Sequence, residues 1–251
     1  MSAWRRLCAD LEKESLLLLR DRRALLVAFL VPVLTIWVYG FVEPPAEARF
    51  DAELFRTTDP TSLVVSLAVM FPALMLASGA VVRERGQGTL DRLLVTPMHP
   101  AGFLAAKLAV LAALAFLQTL LVLFVALTTL DNITVQDPVG TIGRLNLVAL
   151  AFLSLGLLVS TVSRNESQAL LVVTLLVLVM LVLSGFLAPL DGLGPLEPVA
   201  RMLPYTHAYL GTYHHLKGLD APDPYWALLA LDTVLAFGAA ALLLRRTSRT
   251  A

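Results

Sequence analysis

In this chain of 251 residues only 15% are charged, 58% are hydrophobic and the mean hydropathy is +0.79, values that exclude an ordinary water-soluble domain. The 19 lysines and arginines balance 19 aspartates and glutamates, so the basic excess that suits a nucleic-acid partner is missing and none is expected. Cys8 is the single cysteine, which excludes an intramolecular disulfide.

Residues 2–22 read as an amphipathic helix, with Trp4, Leu7, Leu11 and Leu18 at near-helical spacing among Arg5, Arg6, Asp10, Lys13, Glu14 and Asp21. Such a helix lies in the membrane interface, or simply precedes the first crossing. A bilayer's hydrocarbon core takes about 20 apolar helical residues to span. Uncharged runs at 24–41, 63–82, 108–130, 145–163 and 167–190 meet that length, and 225–244 meets it with Asp232 as its one interruption. The expected fold is therefore all-α, with six membrane spans at about 24–42, 61–82, 103–130, 143–163, 167–190 and 225–246, in a single transmembrane domain covering 1–251. Arg20, Arg22 and Arg23 before the first run, and Ala46-Glu47-Ala48 after it, have the order of a secretion signal. The run is longer than the roughly 7–15 residues of a cleavable one, so a retained helix is expected.

Trp37 and Tyr39 close span 1 as anchors for the outer interface, and a short acidic loop leads to span 2, where Pro72 is a candidate kink. The loop 83–100 follows. Thr89 can cap a short helix on which Leu90, Leu93 and Leu94 share a face, with Asp91 and Arg92 off it, and Thr96-Pro97 ends it. That apolar face suits either a partner protein or the membrane surface. Span 3 carries Gln118. The triplet Asn132-Ile133-Thr134 matches a glycosylation sequon but is discounted as a chance match. Span 4 carries Gly156 and Ser160, a small pair four residues apart that permits close helix contact. Arg164-Asn165-Glu166 makes a tight turn into span 5, which has no ionisable group.

The segment 191–224 is broken by Pro195, Pro198 and Pro204. Tyr205, Tyr209 and Tyr213 recur every fourth residue, so they share a face of a short outer helix and read as interfacial anchors rather than as cargo contacts. His207, His214 and His215 lack the carboxylate or thiol spacing of a metal site, and none is expected. Asp232 sits about two turns into span 6. It is a candidate to bind a cationic cargo or relay a proton, or else it pairs with a neighbouring helix.

With the first residues in the cytoplasm and the spans alternating, 14 of the 19 Lys/Arg fall on the cytoplasmic side, among them Arg83, Arg85, Arg245 and Arg246. This asymmetry sets orientation and places both termini inside. The basic rim also favours anionic membrane lipid. Phosphate-loop, nucleophile-elbow, HExxH and CxxC patterns are missing from the chain. The spans offer few polar groups and no repeat, which suits a conduit without its own energy source better than a secondary transporter.

Three places resemble the membrane subunit of ABC-2 exporters, an ATP-binding-cassette family: Lys13-Glu14-Ser15 with Leu19-Arg20-Asp21-Arg22-Arg23; Arg83-Glu84-Arg85-Gly86 through Gly88-Thr89-Leu90-Asp91-Arg92-Leu93-Leu94-Val95-Thr96-Pro97-Met98, followed by Lys107; and Gly185-Phe186 with Leu203-Pro204-Tyr205-Thr206. The resemblance covers essentially the whole chain and is most specific in the second place. It implies two six-span subunits, expected to be a homodimer, with two copies of a separate ATP-binding subunit. ATP and Mg belong to that ATPase, and this chain itself binds no cofactor and is no enzyme. It further implies that the loop after span 2 is a coupling helix. Glu84 would hold that loop or contact the ATPase, with Gly86, Thr89, Leu90, Leu93 and Leu94 at the joint and Arg85 and Arg92 giving polar contacts. A pathway between subunits is implied along spans 2 and 5, where Phe71 and Phe186 are candidates by position, with Asp232 as a third. The cargo is expected to be hydrophobic or amphipathic, such as a drug, antibiotic or lipid. A polysaccharide or glycolipid exporter is the alternative within the class, and a scaffold, sensor component or intramembrane enzyme the alternative outside it. A prokaryotic inner membrane is the expected location.

Overall fold

The computed structural model describes residues 3–42, 60–88, 100–130, 135, 137–186, 190–216 and 224–250. Among the described residues all regular structure is helical. The order is α1 (Ala3–Arg20), α2 (Arg22–Val42), α3 (Pro60–Ser78), α4 (Val82–Gly86), α5 (Pro100–Thr129), α6 (Pro138–Val162) and α7 (Glu166–Leu181), which widens into a π-turn at Val182–Phe186. A 3-10 turn (Leu190–Leu196), α8 (Glu197–Arg201), α9 (Pro204–Leu216) and α10 (Pro224–Thr250) complete it. Six helices are long and apolar enough to cross a membrane.

Local chemistry sets many of the boundaries. Pro60, Pro100, Pro138, Pro204 and Pro224 each open a helix, where a missing N–H costs nothing because the first turn has no partner for it. The Asp21 carboxylate accepts from the Ala24 amide at 3.1 Å, capping α2 and turning the chain out of α1. Asp137 and Asn165 cap α6 and α7 in the same way, through the Gly140 and Gln168 amides. The Asp137 cap explains why α6 begins at Pro138 rather than at the expected 143. Helix α3 runs on through Pro72 to Ser78, and the interruption falls at 79–81 instead.

Spans 2 and 4 form the centre. Of their most apolar stretches 72% and 67% are buried, against 22%, 28% and 17% for spans 1, 5 and 6, so the latter stand on the periphery. The central pair is tight because Gly156 of α6 leaves room for α3. A β-carbon there would lie 2.7 Å from both the Ala77 side chain and the Leu74 carbonyl. Met70, Leu74, Phe152, Leu153 and Leu157 fill the buried seam. Helices α2 and α5 pack against α3, and α10 packs against α6. Leu26 and Leu30 on α2, Leu171 and Leu175 on α7, and Val234 and Leu235 on α10 are exposed, as apolar side chains facing lipid are.

The segment before α10 departs from the expected picture. Tyr205 and Tyr209 are core residues rather than interfacial anchors. The Tyr205 hydroxyl donates to the Leu63 carbonyl at 3.0 Å and its ring meets Phe152 edge-on, so α9 is built into the helix bundle.

Candidate functional site

The cytoplasmic end of span 2 carries the sequence's most specific motif, and the structure shows how it is held. Where the helix breaks at 79–81, the backbone N–H groups of Val81 and Val82 lack carbonyl partners. Both donate to the Ser160 hydroxyl of α6, at 2.9 and 3.1 Å. The small residue expected for packing thus also restarts α4 across the helix interface. Gly88, at φ 66°, follows the end of α4 in the left-handed region that favours glycine.

Consecutive helical residues point about 100° apart, so Arg83, Glu84 and Arg85 reach three directions. Arg83 pairs with Asp21 at the α1–α2 joint and with Glu166 at the start of α7, 3.3 Å away. Arg85 donates to the Thr161 carbonyl at 3.0 Å and to that of Ser163, satisfying the end of α6. Glu84 is buried, accepting from Lys107 of α5 at 2.7 Å and from Lys13 of α1 at 3.2 Å. Lys107, only 3% exposed, also donates to both Glu14 oxygens at 2.8 Å and lies 4.8 Å from the Phe103 ring centre. Burial pushes the Glu14 carboxyl above its ordinary range, outweighing the opposing pull of Lys107. Two cations and two carboxylates therefore join α1, α4 and α5 in one cluster, buried at Lys107 and Glu84 and open to solvent at Lys13. A buried pair of this kind survives only when each charge is matched.

Of the residues named from sequence, Glu84, Arg85 and Gly86 lie in α4. Thr89, Leu90, Arg92, Leu93 and Leu94 lie outside the described residues. Phe71 lines a cavity between α2, α3 and α7. Phe186 closes the π-turn after α7, and its side chain lies outside the description. Asp232 is remote in kind from the cluster: its carboxylate meets His207 Nδ1 of α9 at 2.9 Å, and His207 Nε2 faces the Arg201 carbonyl at 2.8 Å. His215, for its part, contacts Arg144 and Thr141 of α6. Asp21, Glu166 and the bridging role of Lys107 were not singled out from sequence. Lys107 carried a signal, since a cation at the apolar start of a span demands a partner.

The family model described as ABC-2 type transporter matches residues 5–214. The chain is similar to the probable multidrug ABC transporter permease YbhR of Escherichia coli strain K12, 24% identical over 145 residues, or 58% of this chain and 38% of that one. It is also similar to the inner membrane transport permease YhhJ of the same strain, 27% identical over 138 residues, or 54% of this chain and 37% of that one. This chain thus spans well under half the length of the curated relatives it matches.

Proposed function

We propose, from the premise that this chain belongs to the ABC-2 type transporter family, that it is the permease subunit of an ATP-driven exporter. Two copies form the pathway, and two separate ATPase subunits drive it from the cytoplasmic side, where both termini also lie. Its place is a prokaryotic inner membrane, and its cargo is hydrophobic or amphipathic, in keeping with spans that offer few polar groups.

The observation that carries this reading is the seating of α4. The three charged residues of Arg83-Glu84-Arg85 tie the segment after span 2 to α1, to the α1–α2 joint, to α5, to the end of α6 and to the start of α7. A force applied at residues 89–99 would reach five other parts of the chain through short contacts, of which those of Glu84 with Lys107 are buried. A plain surface loop needs no such anchorage. ATP binding draws the ATPases together, the loop moves with them, and the helices shift toward an outward-open state. That shift requires ATP to bind the two states with different affinities.

The test is co-expression with the candidate ATPase, purification through a tag on this chain, and ATP hydrolysis in lipid. Wild type should retain the ATPase. Leu93→Asp should lose it, because a charge replaces an apolar contact at the joint. Glu84→Gln should keep the complex but uncouple hydrolysis from transport. An ATPase that never co-purifies, or that ignores both substitutions, refutes the coupling role and returns attention to Asp232.

A further inference from the structure

A cavity of about 780 Å³ opens between α2, α3 and α7 next to the α1–α2 joint. Its two ends differ in chemistry. Arg20, Asp21, Arg22, Arg83 and Glu166 make its charged end, while Val27, Phe71, Met75 and the half-exposed Leu170 make its apolar lining. Phe71 precedes Ser78, which also lines the cavity at the end of α3, by seven residues. At the helical rise this places it about 10 Å above the end of α3, about a third of a hydrocarbon core about 30 Å thick. The cavity therefore runs from its charged rim into the acyl region.

The rim charges are unequal. Both carboxylates engage Arg83. Arg20 and Arg22 are exposed, and among the described residues neither is in ion-pair contact with a carboxylate. We propose that this cavity binds an amphiphile with one anionic headgroup, taken from the cytoplasmic leaflet. Arg20 and Arg22 receive the headgroup, and the tail lies along Phe71, Met75 and Leu170. An acidic cargo and a resident anionic lipid share this chemistry. Only the step that makes the occupant a cargo rests on the exporter reading; the site itself does not.

The experiment uses the full chain in phosphatidylcholine nanodiscs, with a diazirine-bearing fatty acid and its methyl ester as photoprobes and adducts mapped by mass spectrometry. The acid should label Phe71, Met75 or Leu170 about tenfold more than the ester, given two interfacial arginines. Arg20→Gln with Arg22→Gln should remove that preference, and both positions are exposed enough to be tolerated. Leu170→Trp, which fills the cavity, should reduce labelling by both probes. Addition of the ATPase and ATP separates the sources: labelling that then falls marks cargo, while labelling that persists and yields to phosphatidylglycerol marks resident lipid. Equal labelling by acid and ester overturns the site. So does indifference to the arginine changes, or labelling of the outward-facing Leu171 and Leu175 as dense as that of the cavity.

Discussion

Ser160 and Lys107 do the work that individual residues can do here. Ser160→Ala would strand two buried amides at the restart of α4, a loss of about 1–3 kcal/mol. Its thermal midpoint in detergent should fall accordingly, and an unchanged midpoint would show that water or a shift of α4 substitutes for the hydroxyl. Lys107→Met would leave Glu14 and Glu84 sharing only the exposed Lys13, and removal of one member of a buried ion cluster costs about 3–5 kcal/mol. Glu14 adds a test by pH. Its carboxyl titrates above the ordinary 4.5 in the folded chain. A raised acid favours the folded state below the unfolded value, and this contribution is lost as pH climbs through the folded one. Glu14→Gln has no such loss, so its midpoint should gain on wild type as pH rises past about 4.5. A constant difference across that range would show that Glu14 titrates normally. At this scale the sequence displayed Glu84 and Lys107 but not their meeting. A contact between residues 23 positions apart, closed by a third helix, has no local pattern.

The spans as elements were legible because lipid imposes length and apolarity on each helix separately. Their boundaries were less so. Proline reads as a breaker in a sequence, yet Pro138, Pro204 and Pro224 open helices in this fold. Tyr205 and Tyr209 read as anchors because aromatic residues favour interfaces, and α9 instead turns them into the core. The Gly156 and Ser160 pair did predict close contact, and it supplies a clean comparison. Gly156→Ala would drive a methyl group against the Leu74 carbonyl and Ala77. Overpacking at such a seam costs about 1–3 kcal/mol. Gly143→Ala on the same helix meets nothing within 4 Å. There the better helix former should gain about 0.5–1 kcal/mol. Denaturation midpoints that move together for both variants would contradict the close packing of α3 on α6.

At the scale of the molecule, hydropathy alone does not say which spans are central, since all six are strongly apolar. The distinction lies in small residues: Ser62, Ser66 and Ser78 on α3, and Ser154, Gly156 and Ser160 on α6, are buried where two helices approach closely. Span 5 has few of these and stays peripheral. Its exposed Leu171, Leu175 and Leu178 fall on one face, at i, i+4 and i+7, beside the helix wall of the Phe71 cavity. Helix α10 packs on α6 and α9 and does not border that cavity. If two copies share a pathway along spans 2 and 5, the partner belongs on the α7 side. Because Cys8 is the only native cysteine, Cys8→Ser gives a clean background for cross-linking. In membranes, Leu171→Cys, Leu175→Cys or Leu178→Cys should form an oxidised dimer, whereas Val234→Cys on α10 should not. A disulfide requires Cα atoms within about 7 Å, so the α7 series should show one strong position flanked by weaker ones rather than uniform collision products. Cross-links confined to α10 would place the axis on the opposite side and remove the cavity from any shared pathway.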